Sequence, residues 1–216
     1  MPAFKRPSVQ RKVIVSASDS AARCLTEFAP GIALTGLTMG QFSLLDLVAA
    51  VLEKTGAADV MISTWTTGIR DIERAAWLLD TGSIRSFCLL TDRSFPQRQP
   101  EYCKALVARF GMESIRSTRT HAKFAVIRND GWNVVVRSSM NLNTNPRFEQ
   151  FDLDDNAELA AFFVAHADEQ PIGFDEVAVS AQWSARDTAT VTPREAARKK
   201  VAEKRARAIL ARHGVP

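Results

Sequence analysis

RTHAKFAVIRNDGWNVVVRSSMNLNTNPRFEQFD, residues 119–152, is the stretch on which the reading of the whole chain turns. His121, Lys123, Ala125 and Ile127 alternate with Ala122, Phe124, Val126 and Arg128. That is the period of two that a strand imposes on its faces. Asn129-Asp130-Gly131 follows, residue types that tolerate positive φ in a tight hairpin. Residues 133–137 return as a second strand with Val134, Val135 and Val136 at its centre. A polar cluster comes directly after it: Ser138, Ser139, Asn141, Asn143 and Asn145, closed by Pro146. Antiparallel pairing brings His121 and Lys123, at the start of one strand, beside Ser139 and Asn141, past the end of the other. These residues outline a phosphate site.

The residue types suit phosphoryl chemistry. A neutral imidazole is a competent nucleophile near neutral pH, which casts His121 as the attacking group. Lys123 shares its strand face and offers a compact positive charge to a phosphoryl oxygen. The Ser139 hydroxyl and the Asn141 amide can donate where negative charge builds in the transition state. Glu149, on the next strand-like run, can accept the other ring N–H of His121 and fix its tautomer. Ser138 and Asn143 are further substrate-binding candidates beside them. His-x-Lys alone is common by chance, and His121 also reads as a structural strand histidine. His-x-Lys on a strand, then a hairpin, Ser-x-Asn and Glu, is a much more specific series.

That series resembles the phospholipase D superfamily, and within it the single-motif, nuclease-type members. The family hallmark is His-x-Lys followed by an Asp and a Gly-Gly/Ser-x-Asn. His121 and Lys123 match its start, Ser139 and Asn141 its end, and Glu149 stands where many members carry an acid. Arg128 occupies the position of the family Asp, with Asp130 two residues later, and Ser138 that of the family Gly. The spacing from His121 to Ser139 is a few residues longer, which a longer hairpin absorbs. The likeness covers about residues 30–168. It implies an α/β fold, a mixed sheet flanked by helices. It also implies two His-Lys motifs in one site, one His attacking phosphorus and the other protonating the leaving group. This chain has one copy, so the resemblance implies a symmetric homodimer whose two His121 side chains face each other. The activity it implies is metal-independent phosphodiester cleavage of nucleic acid, DNA favoured, through a phosphohistidine and without a cofactor. A phospholipase or phosphatidyl transferase, and a non-catalytic nucleic-acid-binding protein on the same fold, are the other readings.

Composition frames these expectations. The 216 residues suffice for one core with appendages, and 46% hydrophobic with 24% charged residues is ordinary for a soluble globular protein. No apolar run approaches the ~18 residues of a membrane span. Lys5, Arg6, Arg11 and Lys12 open the chain, and Val13-Ile14-Val15 is too short for a signal-peptide core. Cys24, Cys88 and Cys103 are odd in number, at unrelated spacings and in apolar surroundings. They read as buried free thiols in a reducing cytoplasm rather than as disulfides or metal ligands. The net charge is +4, yet residues 193–216 hold eight Lys/Arg against Glu195 and Glu203, so everything before them is net −2. Arg194, Arg198, Lys199, Lys200, Lys204 and Arg205 are the nucleic-acid-binding candidates of that tail.

Along the chain, residues 1–29 form a basic arm and an uncertain segment, with a short strand at 13–15 and a short helix over 18–28. Residues 30–169 form the catalytic domain. Within it, 31–37 reads as a strand, Ser43 and Asp46 start a helix, and 58–64 is a buried strand. Its carboxyl end crowds Ser63, Thr64, Trp65, Thr66 and Thr67 together, and strand ends of this kind form the ligand crevice of α/β sheets. Thr64 and Trp65 are therefore substrate-binding candidates, against the reading of an ordinary polar loop. A helix over 69–80, a strand over 84–91 and a helix over 101–110 follow. Arg93 and Arg98, in the loop between the last two, read as phosphate contacts or as solvated loop arginines. A short strand spans 113–116. After the hairpin come a strand over 148–153 and a helix over 156–167, with Leu159, Phe162 and Phe163 inward. His166 and His213 read as structural or solvated, and the tryptophans at 77, 132 and 183 as core or hairpin packing rather than base-stacking platforms, Trp65 being the exception. Residues 170–192 are linker-like, although Phe174, Val177, Val179 and Trp183 suggest packing. Thr192-Pro193 then opens a basic helix over 193–216.

Overall fold

The apolar runs read from the sequence become strands and helices of one layered sheet in a computed structural model that describes residues 10–15 and 20–174. In chain order the elements are β1 (Gln10–Val15), α1 (Ala21–Cys24), β2 (Ile32–Thr38), α2 (Leu44–Thr55) and β3 (Ala58–Thr64). Then come α3 (Ile69–Asp80), β4 (Ile84–Asp92), α4 (Phe95–Arg98), α5 (Pro100–Phe110) and β5 (Ile115–Thr118). The chain goes on through β6 (Lys123–Arg128), β7 (Asn133–Ser138), β8 (Glu149–Asp155) and α6 (Ala157–Asp168). The strands form a single sheet in the order β1-β2-β8-β7-β6-β3-β4-β5. β1·β2, β3·β4 and β4·β5 are parallel, and the other pairs are antiparallel. The fold is α/β, a mixed sheet flanked by helices.

Burial on both faces explains the central strands. Phe124, Ala125, Val126 and Ile127 of β6 and Val134, Val135 and Val136 of β7 are all buried, as the middle of a two-faced sheet demands. α2 covers one face through Leu44, Leu47, Val48 and Val51, all fully buried. Its start is a capping box: the Asp46 amide donates to Ser43 Oγ (3.3 Å), and the Ser43 amide donates to Asp46 Oδ2 (2.8 Å). α6 packs Leu159, Ala160 and Ala167 on Met61, Leu90, Phe124, Val126 and Val135. Phe163 joins them, 4.4 Å from the Phe124 ring. Phe162, expected inward, is exposed and lies over His166 instead. It is one residue, and so about 100° of helix, from Phe163, and only one of the two can face the sheet. The three cysteines are free, Cys24 and Cys103 buried and Cys88 half-buried. Burial pushes the Cys103 thiol up to about 12, which leaves it unreactive.

Three local expectations need correction. The helix expected over 18–28 is the single turn of α1, followed by hydrogen-bonded turns from Leu25 to Phe28. The hairpin after β6 uses no positive φ at Asn129 or Asp130. Asn129 Oδ1 instead accepts from the amides of Gly131 and Trp132, both at 3.0 Å. Its Nδ2 ties the turn to the Thr55 carbonyl (3.0 Å), a side-chain solution to the same bend. The sheet also runs past both ends of the 30–169 range. β1 pairs with β2, and Pro171 and Gly173 hydrogen-bond along β5, with Phe174 buried against Phe95. Most of the linker-like stretch, the basic helix and its six candidate residues lie outside the described residues.

What matters for a site is which strand ends meet. The carboxyl ends of β2, β3, β4, β5 and β7 and the amino ends of β6 and β8 fall on one edge of the sheet. The turn after β7 docks there on two helix starts, with the Leu44 amide donating to Asn141 O (3.2 Å) and the Gly68 amide to Leu142 O (2.7 Å). Gly40, at φ +80°, lies so close to the Asn145 carbonyl that a Cβ would sit 1.8 Å from its oxygen. Only glycine allows that approach.

Candidate active site

At that sheet edge β6 begins with Lys123, and His121 precedes it in an exposed loop. The expectation that both sit on one strand face is thus corrected: the two side chains meet directly. Lys123 Nζ is 2.9 Å from His121 Nδ1 and 3.4 Å from Nε2. A ring nitrogen accepts an ammonium proton only through its lone pair, so the contact is made by whichever tautomer leaves the facing nitrogen bare. Burial lowers the pKa of Lys123, with the negative charge of Glu149 acting in the opposite direction.

Glu149 opens β8 and does not bond the His121 ring. Its carboxylate accepts the Ser139 hydroxyl, and Ser139 Oγ in turn accepts from the Gln150 amide (3.0 Å). The Ser139 proton is therefore held inside the β7–β8 turn rather than offered outward. Ser138 is likewise engaged, donating to Gln150 O (2.8 Å) and accepting from the Met140 amide (2.9 Å). Thr64 is fully buried, and its hydroxyl donates to Thr66 O (2.7 Å), which removes it from the surface a substrate touches. Asn141 is half-buried, with Oδ1 at 3.4 Å from Thr64 Oγ1 and Nδ2 left to donate. Asn143 is half-buried beside Gly68, and its amide makes no hydrogen bond among the described residues. Of the predicted set, His121, Lys123 and Asn141 thus keep polar groups that the turn does not consume, while Ser138, Ser139 and Glu149 bond one another and the backbone of the β7–β8 turn.

Trp65, half-buried, is the fourth member. Its ring centroid lies 5.3 Å from that of His121, tilted by 53°. The Arg98 guanidinium stands over the indole, 3.8 Å from the centroid. Arg98 is therefore a bonded and stacked side chain rather than a loosely solvated loop arginine. Its Nε donates to Ser94 Oγ (2.9 Å) and its Nη2 to the Trp65 carbonyl (2.8 Å). Behind it is Asp92, whose carboxylate accepts from the Ser94 hydroxyl and amide (2.9 Å for the amide) and from the Thr120 amide (3.1 Å). Burial alone would raise that carboxyl, but these hydrogen bonds, with Arg98 nearby, hold it below the usual range. The sequence reading missed Asp92, Ser94 and Thr120. An Asp followed two residues later by Ser at a strand end is a turn signal that points to the first two.

No family model matches the chain, and no curated protein matches it. Among solved structures, polyphosphate kinase from Porphyromonas gingivalis superposes with a TM-score of 0.48 at 13% identity, over 69% of this chain and 29% of that one. TrmBL2, an archaeal chromatin protein with a novel mode of DNA binding, gives a TM-score of 0.41 at 12% identity, over 67% of this chain and 53% of that one. The chain spans less than two thirds of the length of either. No helix among the described residues is long and apolar enough to cross a membrane.

Proposed function

We propose that the protein is a metal-independent phosphodiesterase acting on nucleic acid, DNA favoured, through a phosphohistidine on His121. The observation that carries this reading is the direct contact of the His121 imidazole with the Lys123 ammonium, with Asn141 in the turn that follows the strand paired to Lys123. When a phosphodiester enters, Lys123 transfers from the ring to a phosphoryl oxygen and Asn141 donates to another. The freed imidazole forms an N–P bond as the P–O bond to the leaving group breaks. The leaving oxygen takes a proton from a second imidazole, and water then hydrolyses the phosphohistidine. The second imidazole is the His121 of another copy, so the working unit is a homodimer with a shared site.

Turnover is expected to persist in EDTA on plasmid, single-stranded DNA or RNA. No group of His, Cys, Asp or Glu suited to a metal ion occurs among the described residues. Loss on chelation with recovery in Mg²⁺ or Zn²⁺ would contradict the mechanism. Tight DNA binding without turnover at any pH would instead favour a binding protein, a reading supported by the Ser139 proton being committed to Glu149. Cleavage confined to lipid vesicles would point to a lipid substrate.

Arg194, Arg198, Lys199, Lys200, Lys204 and Arg205 supply most of the non-specific affinity on this reading, because the rest of the chain is net acidic. Deleting residues 193–216 then makes the plot of log affinity against log salt shallower by about 0.9 for each phosphate released. Cleavage of a short saturating substrate changes little. Equal slopes for both proteins would remove the tail from the interface.

A further inference from the structure

The His121 ring has few fixed partners for a group that must aim at phosphorus. It is exposed, on a loop, and touches Lys123 and Trp65. Lys123 is itself required by the substrate. Orientation must therefore come from the loop backbone and from the indole, and both lead to one carboxylate. We propose that Asp92 is a positioning residue that sets the His121 imidazole from two sides, through the Thr120 backbone and through the Ser94–Arg98–Trp65 stack. This rests on the assignment of His121 as the reacting group.

The backbone arm is short. Asp92 Oδ2 accepts the Thr120 amide at 3.1 Å, one residue before His121, and Thr120 Oγ1 accepts the Ala122 amide at 3.1 Å, one residue after it. The Arg93 amide donates to Thr118 O (2.8 Å) and anchors the loop where it leaves β5. The side-chain arm begins at Oδ1, which takes both Ser94 donors. Ser94 Oγ accepts Arg98 Nε, Arg98 Nη2 holds the Trp65 carbonyl, and its guanidinium covers one face of the indole. That face is closed to a nucleobase, so Trp65 serves as a spacer between Arg98 and His121 rather than as an open stacking platform. A guanidinium over an indole is a favourable pairing, worth more where water is excluded. Both Asp92 oxygens are used, and each serves one arm.

Asp92→Asn tests the idea with no loss of volume. An amide NH2 must face a donor whichever way it sits, either the Ser94 pair or the Thr120 N–H, so one arm breaks. In the full-length protein, the ring-proton resonances of His121 are read by NMR and assigned by their loss in His121→Gln. In the wild type they are displaced by the indole ring current. In Asp92→Asn they move towards the free-imidazole position. Turnover of bis(p-nitrophenyl) phosphate loses on the order of 10²-fold in kcat with KM nearly unchanged, the scale of a small misplacement of a reacting group. Ser94→Ala, which cuts only the relay to Arg98 and keeps the Ser94 amide bond, moves the resonances the same way, and Ser94→Thr restores them. Should Asp92→Asn not fold, the Ser94 pair decides alone. Unmoved His121 resonances in the folded variants overturn the proposal. Displaced resonances in a protein that cleaves no phosphodiester uphold the positioning and reject the phosphodiesterase reading.

Discussion

Replacing His121 with alanine abolishes phosphodiester cleavage while leaving the fold and nucleic-acid binding nearly intact. General acid–base help alone is worth ~10²–10⁴-fold. In a shared site the same substitution also removes the nucleophile, so the expected loss exceeds the upper figure. The structural cost is small because the side chain is exposed and, among the described residues, hydrogen-bonds only Lys123. The melting temperature and DNA affinity of the variant therefore stay close to wild type. Mixing excess His121→Ala chains with wild type, under conditions that let subunits exchange, depresses activity beyond simple dilution, since each mixed dimer lacks one imidazole. Residual activity within about tenfold of wild type, little over 1 kcal/mol of barrier, sinks the assignment. A monomer by light scattering that still turns over removes the shared site but not the nucleophile.

Where local pattern settles structure, the sequence was readable. The bounds of α3, the Ser43–Asp46 capping box and the buried runs of β3, β6 and β7 follow from period, caps and bounding glycines. What could not be read depends on strand order. His121 was expected on the strand with Lys123, which treats residues 115–128 as a local path. The sheet places β4 and β3 between β5 and β6, so the chain must cross three inter-strand gaps after Thr118. At ~4.8 Å per gap that is about 14 Å, the reach of roughly four extended residues. Residues 119–122 are those four, and His121 is spent on the crossing. The same crossing carries Thr120 past the carboxyl end of β4, which is why Asp92 meets it. No spacing between Asp92 and His121 in the sequence announces that contact. Glu149 illustrates the point on a smaller scale. The β7·β8 register pairs Ser138 with Phe151 and so carries Ser139 opposite Gln150, next to Glu149, whose carboxylate takes the Ser139 hydroxyl rather than the imidazole.

Lys123→Met is expected to lower kcat by about 10²–10³-fold, the usual loss when one preorganised group facing transition-state charge is removed. The pH dependence separates this role from a merely structural one. Burial lowers the pKa of Lys123 from its ordinary 10.5, with Glu149 opposing the shift. The cation is the working form, so activity falls as pH rises through the lowered value, and the alkaline limb sets in below the ordinary lysine range. Glu149→Gln removes the opposing charge and brings that limb to still lower pH. Lys123→Arg, whose guanidinium stays protonated throughout, loses the limb from whatever activity remains, although the fork fits a point-charge site poorly. Stability has the opposite sign. A lysine whose folded pKa is lowered binds protons better in the unfolded chain, so its contribution to stability grows as pH rises between the two values. An alkaline loss of turnover without an alkaline loss of fold, read by activity and melting temperature on the same samples, therefore belongs to the Lys123 charge. A limb unchanged in Lys123→Arg assigns it to another group and takes the phosphate-holding role from Lys123.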